Sequence, residues 1–261
     1  MGISEGGEQR LGGGARVAED ADVGVIGDAR ETAASLVVAL EARGADGPGR
    51  RSAELCDDIG TRRWRDEPYE ESDQLDPRTL SIALDELLPA ERIVVVDSGH
   101  FMGWPSMYLR VPDAAGFVFP QAFQCVGLGL GNAIGAALAR PDRLTVAALG
   151  DGGALLALPE LETLGPLNIP LLVVIYDDSA YGAEVHHFRP MGHKVDIAQF
   201  PDTDFAALAQ AAGCRGVTAR SVEDLEPVRE WVGERDRPLV LDAKVDPDIC
   251  AEWLEEAFRG H

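Results

Sequence analysis

The chain has 261 residues, 46% of them hydrophobic, and its 45 acidic against 23 basic side chains give a formal net charge of −22. That length is enough for one large hydrophobic core with a small appendage, because single cores stop growing at about 250–300 residues. The acidic balance argues against binding to nucleic acids or to anionic membranes, since both depend on clustered lysine and arginine.

No stretch of the sequence approaches about 18 uninterrupted apolar residues, so a transmembrane helix is not expected. Residues 1–16 lack the basic start and apolar middle of a secretory signal, and we therefore expect a cytoplasmic protein. The four cysteines are scattered, without CxxC spacing or histidines at metal-ligand intervals, which indicates reduced structural thiols.

The N-terminal part of the chain has few regular elements. Residues 1–16 are rich in glycine and polar side chains and are predicted to be disordered. A short strand at Val23–Ile26 and an amphipathic helix at Ala29–Ala42 follow. One strand and one helix cannot close a core, so 17–45 is predicted to be a small appendage. Charge, glycine and proline without periodicity indicate a linker over 46–76.

From residue 77 to residue 261 the pattern becomes regular. Asp76 is a helix N-cap followed by proline at the first helical position, which predicts a helix to about Leu88. Apolar, β-branched runs predict strands at Ile93–Val96, Leu144–Leu149, Leu171–Tyr176, Gly216–Ala219 and Leu239–Ala243. Helical patterns lie at Leu128–Ala139, Leu155–Leu164, Phe205–Ala212, Val222–Val232 and Ile249–Phe258. This alternation predicts an α/β fold, a doubly wound parallel sheet with helices on both faces.

Three predicted strands end in small, acidic or polar residues, at 97–100, 150–153 and 177–179. In doubly wound sheets the ligand lies outside the carboxyl ends of the strands. The residues at these three ends are therefore the first candidates for a binding site.

The Gly-Asp-Gly at 150–152 is by itself typical of an ordinary strand-to-helix turn. Asp178 changes this interpretation because it comes 27 positions after Asp151, one helix plus one strand, which brings both carboxylates to neighbouring strand ends. Two ionised carboxylates held close together need a cation. Magnesium typically takes one or two carboxylates and adds phosphate oxygens and water, while glycines let backbone N–H groups approach a phosphate. The sequence predicts a diphosphate held through Mg²⁺.

The motifs at these strand ends resemble a known family. P-loop and dinucleotide-binding glycine motifs are absent, but "GDGG…YDDSAYGAE", the preceding "QCVGLGLGNAIGAALARPDR" and the strand end "VVVDSGH" are similar to one domain of another group of proteins. They resemble the C-terminal pyrophosphate-binding domain of thiamine diphosphate-dependent enzymes of the acetolactate synthase and 2-oxoacid decarboxylase group. The resemblance covers roughly 77–250, and 22–44 is more weakly similar to the end of that family's central domain.

The resemblance implies thiamine diphosphate and Mg²⁺ as cofactors. It implies metal ligands at the side chains of Asp151 and Asp178 and the carbonyl of Ala180. It also implies that Val126 wedges the cofactor into a bent shape and that Tyr181 closes over the phosphates. The complete set of cofactor-binding residues that it implies is Gly99, His100, Val126, Gly127, Gly150, Asp151, Gly152, Gly153, Asp178, Ala180, Tyr181 and Gly182.

Two positions depart from the family pattern. Asp177 stands where the family often has asparagine, and an additional carboxylate should repel a diphosphate unless a metal or a hydrogen bond compensates. Val126 is smaller than the usual wedge residue. These departures leave open a non-catalytic regulatory or binding subunit that retains the fold.

The resemblance also implies a partner. In this family a separate pyrimidine domain supplies the glutamate that activates the cofactor, and residues 1–76 are too few to contain such a domain. We therefore expect one half of a split enzyme, or a fragment of a longer one. It would form a hetero-oligomer with a pyrimidine-domain subunit and decarboxylate a 2-oxoacid, then release an aldehyde or join the product to a second carbonyl. Alone it should be inactive.

Glu184, His186 and His187 follow the Asp-Asp turn and are weak catalytic candidates. The simpler interpretation is a first-turn carboxylate and two solvated histidines, since acids favour that end of a helix. As functional groups, one of them would donate a proton near neutral pH. A Mg²⁺-dependent protein that binds phosphate esters through Asp151 is a further alternative.

Overall fold

The structure is a computed structural model. It describes residues 3–4, 25–45, 52–61, 64–66, 69, 72–123, 125–251 and 253–254. The chain divides into two compact units, Met1–Arg62 and Arg63–His261.

The first unit contains a two-stranded parallel sheet and two helices. The strands are β1 (Ile3–Ser4) and β2 (Val25–Ile26), and the helices are α1 (Ala29–Ala42) and α2 (Ala53–Thr61). The predicted bounds of α1 are confirmed, because the side chain of Asp28 caps the helix by accepting the Glu31 N–H at 2.9 Å.

Two predictions for the N-terminal region differ from the structure. Ile3 and Ser4 form a strand, although they lie in the tail predicted to be disordered; the other residues of 1–16 lie outside the described residues. Helix α2 falls within the predicted linker at 46–76. Its apolar residues Leu55 and Ile59 recur at helical spacing, but the surrounding charge hid that pattern.

The second unit is built on a six-stranded sheet in which all pairs are parallel, in the order β4-β3-β5-β6-β8-β7. Its strands are β3 (Arg92–Val96), β4 (Phe117–Val118), β5 (Leu144–Gly150), β6 (Leu171–Asp177), β7 (Arg215–Ala219) and β8 (Leu239–Lys244). The predicted fold class and the five predicted strands are confirmed. Strand β4 was not predicted, because two residues carry no periodic signal.

Helices cover both faces of this sheet. They are α3 (Pro77–Leu87), α4 (Gly103–Tyr108), α5 (Gly129–Ala139), α6 (Asp151–Leu156), α7 (Glu160–Leu167), α8 (Gly182–Phe188), α9 (Phe205–Ala211) and α10 (Glu226–Glu234). Helices α3, α4 and α10 pack on one face, and α5, α7 and α9 pack on the other. Alternate side chains of one strand therefore enter different cores: Val94 and Val96 face the first group, and Ile93 and Val95 face the second.

Two predicted helices were wrong in part. The helix predicted at Leu155–Leu164 is two helices, because α6 begins at Asp151 and ends at Leu156, and α7 begins after Pro159. In the helix predicted at Ile249–Phe258, residues 249–251 are irregular and 253–254 are helical; the other positions lie outside the described residues. Among the described residues, every helix is too short or too polar to span a bilayer.

Candidate functional site

A cleft lies at the carboxyl ends of β3, β5 and β6, at the edge of the sheet where a ligand was predicted. Eleven of the twelve residues predicted to bind a cofactor line it: Gly99, His100, Val126, Gly150, Asp151, Gly152, Gly153, Asp178, Ala180, Tyr181 and Gly182. The twelfth, Gly127, is not part of the lining, and its N–H donates to the carboxylate of Asp97 instead.

The three residues predicted to ligate the metal, Asp151, Asp178 and Ala180, line the same cleft. Asp151 opens α6 and is buried, with 3% of its surface exposed. Its Oδ1 accepts the Gly152 N–H at 2.8 Å, and its Oδ2 accepts the Ala180 N–H at 2.9 Å. The Oδ1 of Asp178 accepts the same Ala180 N–H at 3.2 Å. The two carboxylates therefore face one point from neighbouring strand ends.

Both carboxylates have raised pKa values. Burial, assisted by the charges of Asp178 and Asp177, raises the pKa of Asp151 to about 9. Burial is also the main cause that raises the pKa of Asp178 to about 7. Within the described residues, no ion pair includes Asp151 or Asp178. A divalent cation would restore the ionised form of both groups, and their hard oxygen donors suit Mg²⁺.

Glycines give the cleft its close packing. A Cβ on Gly152 would lie 2.4 Å from the Tyr181 ring, and one on Gly182 would lie 2.4 Å from Oδ2 of Asp178. A Cβ on Gly153 would lie 2.6 Å from Oδ2 of Asp97. Any larger residue at these positions would displace the groups that border the predicted metal ligands, so their glycine identity has a steric reason.

One of the glycines that the resemblance implies for cofactor binding already uses its backbone N–H. Gly152 donates that N–H to Oδ1 of Asp151 in this structure. This N–H can donate to a phosphate oxygen only if its hydrogen bond to Oδ1 of Asp151 breaks. A cation that attracts the carboxylate favours this change.

Only one of the three catalytic candidates borders the cleft. Glu184 lines it, in the first turn of α8. His186 is not part of the lining, and its ring stacks on that of His100 with 4.4 Å between centroids. The His187 ring contacts that of Phe188, with centroids 4.7 Å apart. The catalytic roles of Glu184, His186 and His187 stay predictions.

Ligand atoms of His100, His186 and Cys250 lie within 4.8 Å of one another. An imidazole nitrogen binds a metal in the plane of its ring, and rings stacked at an interplanar angle of 24° do not direct both lone pairs at one point. Moreover, Nε2 of His100 accepts the Ala251 N–H at 2.9 Å. Burial, with His186 nearby, lowers the pKa of His100 to about 3, which keeps the ring neutral. The cluster is an aromatic contact that joins the loop after β3 to the C-terminal segment.

Sequence analysis assigned no specific contact to Asp97 or Lys244, two charged residues at this edge of the sheet. Asp97 is fully buried and accepts the Ser98 N–H at 2.8 Å and the Gly127 N–H at 2.9 Å, which fixes the backbone next to Val126. Gly127 has a φ of 90°, a conformation that favours glycine. Lys244, at the end of β8, contacts Asp177. Position at a strand end was the signal available for both residues.

An apolar groove of about 460 Å³ adjoins the cleft and shares Val126, Tyr181 and Glu184 with it. Its other lining residues are Leu156, Phe188, His193, Lys194, Val195, Ile197 and Ala198. Ile197 is 94% exposed, and Leu156 is 59% exposed. Large apolar side chains thus lie open to solvent next to the candidate site.

Fold and site together define an α/β protein with a ligand cleft at the carboxyl edge of a parallel sheet, containing two facing carboxylates and closely packed glycines. The family model described as "Thiamine pyrophosphate enzyme, C-terminal TPP binding domain" matches residues 97–243, and the chain belongs to this family. The resemblance drawn from the motifs is confirmed.

Individual relatives are similar over most of this chain. It is 29% identical to the catabolic acetolactate synthase of Raoultella terrigena, over 86% of this chain and 40% of that protein. It is also 29% identical to the benzoylformate decarboxylase of Pseudomonas aeruginosa, over 66% of this chain and 33% of that protein. The solved structure of a thiamine diphosphate-dependent 4-hydroxybenzoylformate decarboxylase from Rhodococcus jostii RHA1 matches with a TM-score of 0.63 and 25% identity, over 69% of this chain and 34% of that one.

The coverage of these relatives is partial. The chain spans between a third and two fifths of the length of the two curated relatives named here. The range matched by the family model, residues 97–243, contains both Asp151 and Asp178.

Proposed function

We propose that this chain is the diphosphate-binding part of a thiamine diphosphate- and Mg²⁺-dependent enzyme that decarboxylates a 2-oxoacid or uses the acid in a carboligation. The observation that carries the proposal is the convergence of the Asp151 and Asp178 carboxylates on the N–H of Ala180. Family membership supplies the identity of the cofactor.

Different residues of the cleft would bind the metal, cover the phosphates and support the cofactor. Asp151, Asp178 and the Ala180 carbonyl would hold Mg²⁺, which would bind the diphosphate oxygens. Tyr181, packed over Gly152, would cover the phosphate end. Val126 borders both the cleft and the apolar groove, and it would support the cofactor where the two cavities meet. Thiamine diphosphate, when bound, supplies the carbanion chemistry.

A partner domain would complete the site. The exposed apolar residues of the groove, with Leu156 and Ile197 the most open, suit a second protein surface. We propose that this surface belongs to a pyrimidine-binding domain on a separately encoded subunit, which forms a hetero-oligomer with this chain and contributes the activating glutamate. The match covers only 40% and 33% of the two relatives' lengths, so those proteins contain further residues that are sufficient for such a domain.

Glu184 is the group of this chain best placed to act on a substrate. It lines both cavities in the first turn of α8, and neither Asp151 nor Asp178 is free for that task if both hold a metal. It would hold or transfer a proton at the junction of cleft and groove. His186, whose ring stacks on that of His100, would support the loop that carries His100.

The test is calorimetry of the full chain with thiamine diphosphate at saturating Mg²⁺. We expect weak binding that is lost in Asp151→Asn, and no binding of ATP. Adding the protein encoded by the adjacent reading frame should tighten binding and release CO₂ from pyruvate or benzoylformate. Binding of ATP without thiamine diphosphate would favour the phosphate-ester alternative. Tight cofactor binding by the assembly without turnover of any 2-oxoacid would favour the non-catalytic subunit.

A further inference from the structure

Lys244 and Asp177 form a buried ion pair directly behind the candidate site. They are register partners at the carboxyl ends of the neighbouring strands β8 and β6. The Lys244 Nζ lies 2.5 Å from Oδ2 of Asp177, and the side chains are 10% and 1% exposed. Asp177 is therefore paired with a cation that sequence reasoning did not assign to it.

Other oxygens fix the position of the Lys244 ammonium group. Its Nζ lies 2.6 Å from Oδ1 of Asp202, 3.1 Å from Oδ2 of Asp242 and 2.7 Å from the carbonyl oxygen of Thr203. An ammonium group has three hydrogens to donate, and four oxygens surround this one. The ammonium group is consequently held in one place between the ends of β6 and β8 and the segment at 202–203.

The other oxygen of Asp177 shapes the turn that carries Asp178. Oδ1 of Asp177 accepts the Ser179 N–H at 3.0 Å and the Ser179 hydroxyl at 3.3 Å. Ser179 has a φ of 55°, in the left-handed region, so a hydrogen bond supports an unfavourable backbone conformation here. The next residue, Ala180, donates its N–H to Asp151 and Asp178. Both oxygens of Asp177 are thus engaged, and its side chain does not line the cleft.

We propose that Lys244 is a positioning residue for the metal and diphosphate site: it neutralises Asp177 and holds it outside the cleft, so that of the two adjacent aspartates only Asp178 faces Asp151. The inference rests on the proposed function, since it concerns the affinity for thiamine diphosphate. It accounts for an acidic residue at a position where repulsion of the cofactor was expected.

Removing the ammonium group would leave Asp177 and Asp242 buried without their shared cation. A buried carboxylate deprived of its partner moves toward water or toward another cation. For Asp177 each of these changes disturbs the bonds to Ser179 and hence the turn that presents Asp178. A carboxylate that stays ionised near the cleft would also repel the diphosphate.

The test is a double-mutant cycle on the full chain, with thiamine diphosphate binding measured by calorimetry at saturating Mg²⁺. Lys244→Met should weaken binding about tenfold or more, as expected when one partner of a buried charge pair is removed. Adding Asp177→Asn should restore binding to within about threefold of wild type, because asparagine keeps an oxygen for Ser179 and carries no charge. Lys244→Arg should retain most of the affinity.

Asp202→Asn combined with Lys244→Met is the matched control. Asp202 also contacts the Lys244 ammonium group, but its side chain is 61% exposed and pairs with Arg220, so its neutralisation should not restore binding. A purely structural role of Lys244 would show itself as equal recovery by both double variants, and this result would overturn the inference. Binding by Lys244→Met at the wild-type level would overturn it as well.

The outcomes separate this inference from the proposed function. Wild-type protein that binds no thiamine diphosphate would overturn both, whereas wild-type binding with no effect of Lys244→Met would overturn the inference alone. If Lys244→Met does not fold, the Asp177→Asn/Lys244→Met variant decides: affinity near wild type supports the inference, and affinity as low as that of Asp151→Asn overturns it.

Discussion

The carboxylates of Asp151 and Asp178 accept hydrogen bonds from one and the same backbone N–H, that of Ala180, at 2.9 and 3.2 Å. The first carboxylate opens α6 after β5, and the second follows β6, the next strand in the sheet. Their convergence depends on parallel neighbouring strands that end at the same edge. A single divalent ion placed between them would replace a hydrogen-bonded and partly protonated pair by an ionised one.

Asp151→Asn and Asp178→Asn should each lower the affinity for Mn²⁺, used as a spectroscopic substitute for Mg²⁺, by about 100-fold or more, since each removes a charged ligand. Electron paramagnetic resonance of free Mn²⁺ in the presence of thiamine diphosphate measures this. The matched control is Asp142→Asn, which removes a carboxylate next to the opposite end of β5, where it pairs with Arg140. Equal affinities of Asp151→Asn and Asp142→Asn would contradict the assignment of the metal site.

The metal-free protein should lose stability as the pH rises from about 7 to about 9. The pKa of Asp151 is raised from 3.8 to about 9, so the folded state binds this proton more tightly than the unfolded state and loses that advantage as the pH approaches 9. The raised pKa of Asp178, about 7, and the lowered pKa of His100, about 3, act mainly below this window. Urea unfolding in EDTA at several pH values measures the slope.

The titration of Asp151 also predicts how the stability of the Asp151→Asn variant and of the Mg²⁺-bound protein depends on pH. Asp151→Asn should flatten the slope and raise the free energy of unfolding near pH 9 by about 1–3 kcal/mol, because it removes a buried charge. Saturating Mg²⁺ should stabilise wild-type protein most at high pH, since metal binding releases protons. A free energy of unfolding that increases between about pH 7 and 9 in metal-free protein would refute the assigned protonation.

Gly152→Ala should weaken the binding of thiamine diphosphate without unfolding the protein. The new methyl group would lie 2.4 Å from the ring of Tyr181, so the ring must move away from the cleft. We expect a loss of about tenfold in affinity and of about 1–2 kcal/mol in the free energy of unfolding, a typical effect of overpacking. Calorimetry and urea unfolding measure the two quantities.

Gly233→Ala is the control for this substitution. Gly233 lies in α10, and apart from its own stretch of helix no atom lies within 4 Å of the position of the added methyl group. Alanine is the better helix former, so this variant should gain about 0.5–1 kcal/mol in stability and bind the cofactor as wild type does. Unaltered cofactor affinity in Gly152→Ala would show that Tyr181 does not cover the diphosphate.

Local sequence signals were sufficient for much of the fold. Helix α1 was predicted with its observed bounds, and the start of α3 was predicted from Asp76 and the proline that follows, since capping residues act within one turn. The central strands β5 and β6 are continuous apolar runs, as expected for a sheet buried on both faces. The short helix α4 was missed because six residues show less than two turns of periodicity. The start of α8 was anticipated, since Glu184 was interpreted as a first-turn carboxylate.

The site was predicted as far as it follows from residues near each strand end. Asp151 and Asp178 were found because strand ends of a parallel sheet lie at one edge. The pairing of Asp177 with Lys244 joins residues 67 positions apart and requires β8 to lie next to β6, with β7 outside it. Spacing along the chain does not determine that order, so the compensating charge could be identified only in the structure.

The last prediction concerns a buried charge pair away from the site. Arg92 begins β3 with 2% of its surface exposed, and its Nη2 forms an ion pair with Asp85. Its other nitrogens donate to carbonyl oxygens of Arg110 at 2.7 Å, of Leu88 at 3.2 Å and of Asp85 at 3.3 Å. The guanidinium group thus ties α3, the loop before β3 and the chain after α4 together. Arg92→Met fills similar space but leaves these oxygens and the Asp85 charge without this donor.

Arg92→Met should therefore lower the free energy of unfolding by about 3–5 kcal/mol, as expected for removal of one partner from a buried pair. Arg110 and Arg65 also pair with Asp85. Because they still compensate its charge in the variant, we expect a loss toward the lower end of this range. Arg140→Met is the control, because its exposed pair with Asp142 should contribute at most about 1 kcal/mol. Urea denaturation compares the two variants, provided that the slope of the unfolding free energy against urea concentration is unchanged. A loss in Arg92→Met no larger than in Arg140→Met would show that the buried pair of Arg92 and Asp85 is dispensable for folding.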